Sequence, residues 1–168
     1  NIHKCVGMDR RYSPERIVDV IRELDADVVA MQEVLAHSKS HPRDHQAEFI
    51  AKELGMDFRM GENRKINGGE YGNVTLSRFP ISSYCNHDIT VSKYQPRGCL
   101  HSEISVNGGG FLHLINEHMI TSAYDCITLH IVKWLNGEVY LVAEHSLILG
   151  RVYLAELNPE TLPEGLIL

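Results

Sequence analysis

Residues 27–33, Asp27-Val28-Val29-Ala30-Met31-Gln32-Glu33, constrain this chain more than any other stretch. A run of small or branched apolar residues that follows a helical segment is the pattern of a strand in a sheet covered on a face. Closing the run with Gln32-Glu33 sets a carboxylate at a strand end, where folds expose functional groups. A carboxylate there is a hard oxygen ligand for a divalent cation. Taken alone, Glu33 is more simply the first solvated residue after a core strand.

The flanking pattern is a layered α/β arrangement. Ser13 is an N-cap candidate and Pro14 suits the first helical position. Ile17, Val20, Ile21 and Leu24 then recur at helical spacing. After a polar, histidine-rich loop to Asp44, a second helix is expected over Gln46 to Leu54, capped by Gly55. Strands follow. Met56 to Met60 is short, and Gly61 to Glu70 reads as a glycine- and asparagine-containing loop. Tyr71 to Arg78 is a strand stopped at Pro80. Ile81 to Val91 and Cys99 to Val106 are next, and the turn signal at residues 107–110 leads into Phe111 to His118. Ala123 to Leu135 reads as a third helix and Val139 to Ala143 as a buried strand. Short turns between consecutive strands imply antiparallel pairing within mixed sheets. No repeat or linker divides residues 1–168, so one domain is expected.

Composition narrows the function classes. The net charge of −6 and pI near 5.9 argue against a dedicated nucleic-acid coat. Cys5, Cys85, Cys99 and Cys126 show no short paired spacing, which fits reduced core thiols better than disulfides or a zinc knuckle. With no long apolar stretch and no signal peptide, a cytoplasmic location is expected. The sequon Asn73-Val74-Thr75 reads as chance. The chain starts at Asn1 in what reads as the end of a strand, so an upstream segment is expected.

Four groups can converge if strand ends meet: Asn1, Glu33, Asn116 and His118. A carboxylate, an amide and an imidazole at neighbouring strand ends suit a magnesium ion and a phosphate. At these residues the chain resembles the endonuclease/exonuclease/phosphatase family, the deoxyribonuclease I-like phosphoesterases. The matching pieces, in family order, are Asn1-Ile2-His3-Lys4, Asp27 through Gln32-Glu33-Val34, and Gly72-Asn73-Val74-Thr75-Leu76-Ser77-Arg78-Phe79-Pro80-Ile81. Arg97-Gly98-Cys99-Leu100 and Ile115-Asn116-Glu117-His118 complete the series. The resemblance implies a four-layer αββα sandwich, here partial, with mixed and largely antiparallel sheets (an α/β, or α+β, class). It also implies Glu33 and Asn1 at a magnesium or manganese ion, and His118 and Asn116 as catalytic groups at the scissile phosphate. Asn73, Arg78 and Arg97 fall in segments beside the substrate.

The match then breaks. Leu141-Val142-Ala143 fits the family strand that ends in Gly-Asp-x-Asn, but Glu144-His145-Ser146-Leu147 stands in place of the tetrad. His145 replaces the aspartate and becomes the candidate base, and a family Ser-Asp-His is absent. Residues 147–168 form an apolar tail unlike the family, as a truncation or frameshift after about residue 143 would produce. The expectation is an incomplete domain and a metal-dependent phosphoester hydrolase of impaired activity. Its substrate class is open among nucleic acid, phospholipid headgroup and small phosphate ester. A non-catalytic remnant that weakly binds metal or a phosphorylated partner is the alternative. An unclosed second sheet would leave an open edge that invites self-association.

Several residues carry blander readings. His37, His41 and His45 recur every four residues, but Pro42 interrupts any helix that would align them for zinc. His101 and His113 alternate with apolar neighbours as structural histidines. Arg97 reads equally as a structural ion pair, and Lys4 as a surface lysine.

Overall fold

The computed structural model describes residues 1–37, 42–90, 95–106, 110–118, 131–135, 138–146 and 151–157. Two helices, α1 (Pro14–Leu24) and α2 (Gln46–Leu54), accompany nine strands. The strands are β1 (Val28–Ala36), β2 (Asp57–Ile66), β3 (Gly69–Ser77), β4 (Ile81–Asp88), β5 (Gly98–Val106), β6 (Gly110–Glu117), β7 (Ile131–Leu135), β8 (Glu138–Ser146) and β9 (Arg151–Leu157). One sheet has the order β2-β3-β1-β7-β8-β9 and the other β4-β5-β6. Every pairing between described strands is antiparallel, so the parallel pairs expected of mixed sheets are not found among them.

The helices form one layer. Pro14 opens α1 with Ser13 extended before it, and α1 ends at Asp25 in the left-handed region. Its inward stripe is Pro14, Val18 and Ile21, with Ile17 packed beside it, whereas Val20 is half exposed. The core face is therefore rotated from the one the spacing suggested. α2 has the expected bounds and closes on Gly55 in the left-handed region, where its N–H reaches the carbonyls of Ala51 and Lys52. Between helices and first sheet lie Val18, Ile21, Val29, Met31, Ile50, Val74 and Leu76.

The two sheets face each other through a second core of Val28, Ala30, Ile81, Ile104, Val106 and Leu114. Alternation makes this possible: β5 reads buried then half-buried along its whole length. Thus the α, β and β layers of the αββα class are in place. Among the described residues no helix covers the outer face of the second sheet, and none is long and apolar enough to cross a membrane. On that outer face His101 Nε2 and His113 Nδ1 lie 3.0 Å apart, a cross-strand pair. β6 has no neighbour on its outer side among the described strands.

Three sequence expectations change. Residues 61–70 are not a loop: β2 runs on to Ile66 and β3 begins at Gly69, joined by Asn67-Gly68. Both turn residues have positive φ, 49° and 82°, which suits the two-residue hairpin turn that follows strand twist. Residues 131–135 are a strand, paired with β1 and β8, rather than the end of a third helix. Ile131 and Val132 are β-branched, and a short apolar run fits either state by periodicity alone. The earlier part of that expected helix, 123–130, lies outside the described residues. Finally, Cys5 alone among the described thiols is a core residue. Cys85 is exposed, Cys99 is partly so, and Cys126 lies outside the described residues. Burial, followed by the nearby Glu15 charge, pushes the Cys5 thiol up to about 12.

Candidate active site

Glu33 does not end its strand. β1 continues to Ala36, and its register with β3 shifts between Met31 and Val34, so Gln32 and Glu33 form a β-bulge. Glu33 takes φ +58°, a left-handed conformation that a side chain with a Cβ adopts only at a cost. A bulge re-aims a side chain out of the alternation of its strand. Strain held in this way clusters at functional sites.

The N-terminal segment closes over that bulge. The Ile2 N–H donates to Gln32 O at 3.0 Å, and His3–Cys5 form a tight turn with φ of 46°, 55° and 58°. Asn1 and Ile2 are therefore not in a strand, as the sequence suggested, but lie beside one. Asn1 Oδ1 accepts the His3 N–H at 3.0 Å. The buried Gln46 side chain of α2 ties the two segments together: it donates to Lys4 O at 2.8 Å and accepts the Leu35 N–H at 2.9 Å. Glu33 Oε2 then lies 3.3 Å from His3 Nδ1 and 3.7 Å from Lys4 Nζ. Burial works against its charge, but the Asn1 hydrogen bond and the neighbouring Lys4, His3 and His118 outweigh it. The carboxyl is held below its ordinary range.

Arg97 and His118 arrive from the second sheet. Arg97 Nη1 lies 3.1 Å from His118 Nδ1. A guanidinium has only donors, so Nδ1 accepts, and the His118 ring proton sits on Nε2. Arg97 is held by its backbone: its N–H donates to Thr90 Oγ1 at 3.0 Å and its carbonyl accepts the Ile89 N–H at 3.0 Å. At the next residue, Gly98, a Cβ would overlap Asn63 Oδ1 and the Asn86 amide, so those side chains would have to shift. Arg97 Nε is buried without a partner among the described residues. A buried donor left over beside an imidazole suits an anion.

Tyr71 was not singled out from sequence, and it is the centre of this cluster. It is buried on β3, with Arg64 Cζ 4.9 Å and Lys4 Nζ 5.9 Å from its ring centroid. Burial, then the Glu33 charge, raises its hydroxyl pKa, while Arg64 and Arg97 act the other way. Lys4 is thus more than a surface lysine. The sequence signal for Arg64 is indirect: its place follows from the hairpin turn at Asn67-Gly68.

The asparagines serve the frame. Asn116 is buried; its Oδ1 accepts from Gln32 Nε2 at 2.8 Å, and its Nδ2 donates to Met31 O at 3.2 Å and Val74 O at 3.0 Å. Asn73 Nδ2 donates to Gly98 O at 2.9 Å and Asn116 O at 3.1 Å. Both amides bridge the sheets behind the bulge, so they position the site rather than line it. Burial also closes Asn73 to glycosylation. Arg78 is not brought to the site. It bonds Asp25 at 2.7 Å and Asp27 at 3.1 Å. Ser77 pairs with Val28 and Gly72 with Val34, which puts Arg78 roughly 20 Å along β1 from the bulge. His145 lies in β8 opposite Val152, and β8 reaches β1 only through β7. Its side chain lies outside what the structure describes. Of the histidine series, His45 Nδ1 accepts the Glu48 N–H at 3.1 Å as the α2 cap, and His41 lies outside the described residues.

A sequence model of the Endonuclease/Exonuclease/phosphatase family matches residues 1–153. The chain belongs to that family. The match runs past Ala143, where the motif resemblance weakens. The chain is 32% identical over 158 residues to the uncharacterized protein YbhP of Escherichia coli (strain K12), and equally to that of Shigella flexneri. The alignment covers 85% of the chain and 62% of those relatives, so the chain spans less than two thirds of their length. Among solved structures it is similar to an endonuclease/exonuclease/phosphatase from Beutenbergia cavernae DSM 12333 (TM-score 0.61, 24% identity, 73% of this chain and 37% of that one). It is also similar to a family protein from Leptotrichia buccalis C-1013-b (TM-score 0.55, 18% identity, 73% and 53%). At these identities the two structures share the fold.

The family is one of phosphoesterase- and nuclease-type hydrolases that generally depend on a divalent metal. The residues here fit such an ion. Glu33 is held ionised, the Asn1 amide adjoins it, and both offer hard oxygens. Among the described residues no group of three His, Cys, Asp or Glu side chains is placed to hold a metal ion by itself. A donor set with one carboxylate leaves such an ion several of its waters.

Proposed function

We propose that the chain carries the metal- and phosphate-binding part of a phosphoester hydrolase acting on a phosphomonoester or phosphodiester, with weak turnover of its own. The carrying observation is Glu33, set on a strained bulge among Asn1, His3, Lys4 and His118, with Arg97 against His118. Magnesium or manganese held there by Glu33 and Asn1 would neutralise phosphoryl charge. Asn1 orients the carboxylate. The Arg97–His118 pair binds phosphoryl oxygens, and the tautomer set by Arg97 leaves His118 Nε2–H a hydrogen-bond donor toward the charge that develops on the ester oxygens. Asn116, Gln32 and Asn73 hold the bulge and the Arg97 segment in register.

Water activation is the weak point. The family tetrad is replaced by Glu144-His145-Ser146-Leu147, leaving His145 as the candidate base. That replacement also favours the second reading, a non-catalytic domain that binds metal or a phosphorylated partner.

The test is hydrolysis of p-nitrophenyl phosphate and bis-p-nitrophenyl phosphate with magnesium, comparing the chain with Glu33→Ala and His145→Ala. Losing a general base costs roughly a hundred- to ten-thousand-fold, so slow turnover that Glu33→Ala abolishes is expected. Robust turnover lost in His145→Ala would make this a full variant enzyme. No turnover, with metal binding kept, would favour the second reading. Turnover indifferent to both changes would refute the site.

A further inference from the structure

We propose that Arg64 and Lys4 form a second anion subsite beside the Glu33 centre, so that the substrate carries another phosphate next to the ester that is cleaved. This rests on the phosphoesterase reading and extends it. Arg64 sits on β2 opposite Tyr71 of β3, just past the register shift that follows Glu62. Its guanidinium lies over the Tyr71 ring at 4.9 Å, and the Lys4 ammonium is 5.9 Å from the same ring.

The charge balance is the argument. Lys65, the next residue, is matched by two carboxylates, Glu62 at 2.7 Å and Glu70 at 3.6 Å. Arg64 makes no ion pair with a carboxylate among the described residues, nor does Arg97. Three cations, Lys4, Arg64 and Arg97, therefore gather about one tyrosine, and among the described residues only Lys4 of the three meets a carboxylate, that of Glu33, in a chain whose net charge is −6. Like charges held this close favour an anion between them. One phosphoryl group is met by Arg97 and His118. Arg64 and Lys4 stand on the other partners of the ring, and a guanidinium fork matches phosphate oxygens. Two adjacent phosphates occur in an oligonucleotide backbone and in a small bisphosphate. The shared chemistry is the second phosphate.

The test is isothermal titration calorimetry of the whole chain with three probes: p-nitrophenyl phosphate, fructose 1,6-bisphosphate and trithymidylate. Arg64→Ala, Arg64→Lys and Arg97→Ala are compared, with circular dichroism confirming their fold. A charge-assisted contact predicts a two-phosphate probe bound roughly ten- to a hundredfold more tightly than the single phosphate. Arg64→Ala should lower that ratio toward one and Arg64→Lys should recover part of it. Whichever of the two larger probes shows the advantage identifies the source. A ratio unchanged in Arg64→Ala overturns the subsite, while loss of single-phosphate binding in Arg97→Ala would leave the phosphoesterase reading standing. If no probe binds the wild-type chain, both fall.

Discussion

Asn116 Oδ1 accepts a 2.8 Å hydrogen bond from Gln32 Nε2, which joins the second sheet to the bulge that aims Glu33. Asn116 also donates to Met31 O and Val74 O, on either strand of the opposing sheet. Asn116→Ala would strand three buried polar groups. It should lower stability by about 3 kcal/mol in urea unfolding, since each unsatisfied group costs roughly 1–3 kcal/mol. Asn116→Asp should be worse, because a carboxylate would face two carbonyls. A near-neutral Asn116→Ala would mean that the amide serves substrate rather than frame.

Glu33 is expected to be a residue kept against stability. Glu33→Gly relieves the left-handed strain whereas Glu33→Gln retains it. Glycine should be more stable than glutamine here by roughly 0.5–1 kcal/mol after its extra unfolded-chain entropy. The acid limb supplies a second readout. Burial opposes the charge of Glu33, but Asn1, Lys4, His3 and His118 hold its pKa below the unfolded value. Its contribution is therefore present above the ordinary glutamate range and lost as pH falls through the depressed value. The wild-type chain should lose stability more steeply in acid than Glu33→Gln. Identical acid limbs would place the carboxylate outside this cation ring.

Arg78→Ala should cost stability and nothing else. Its pair with the exposed Asp25 is worth at most about 1 kcal/mol, and its bond to the buried Asp27 is worth more. Phosphate binding, measured by calorimetry with p-nitrophenyl phosphate, should not change. A large loss of phosphate affinity would bring Arg78 back to the site.

Sequence pattern carried much of this fold, and the reasons for its failures are physical. α2 was legible to the residue because an apolar face and Gly55 bound it on both sides. The Glu33 bulge was not, since alternation cannot show where a strand gains an unpaired residue. Asn67-Gly68 is a hairpin signal that the neighbouring glycines and asparagine blur into a loop pattern, and the place of Arg64 depends on it. Arg78 shows why motif adjacency misleads: an extended strand carries near neighbours in sequence to opposite ends of a sheet. Asn73 and Asn116 show a related limit, because an amide can serve substrate or backbone, and only the partners in space tell which.

The central claim is that Glu33 binds a divalent metal, and manganese binding tests it most directly. Titration of the whole chain with manganese, followed by water-proton relaxation, should show one weak site, as expected for an ion that keeps most of its waters. Glu33→Gln should abolish most of that binding, while Arg78→Ala leaves it intact. Equal manganese affinity in the wild-type and Glu33→Gln chains would contradict the account.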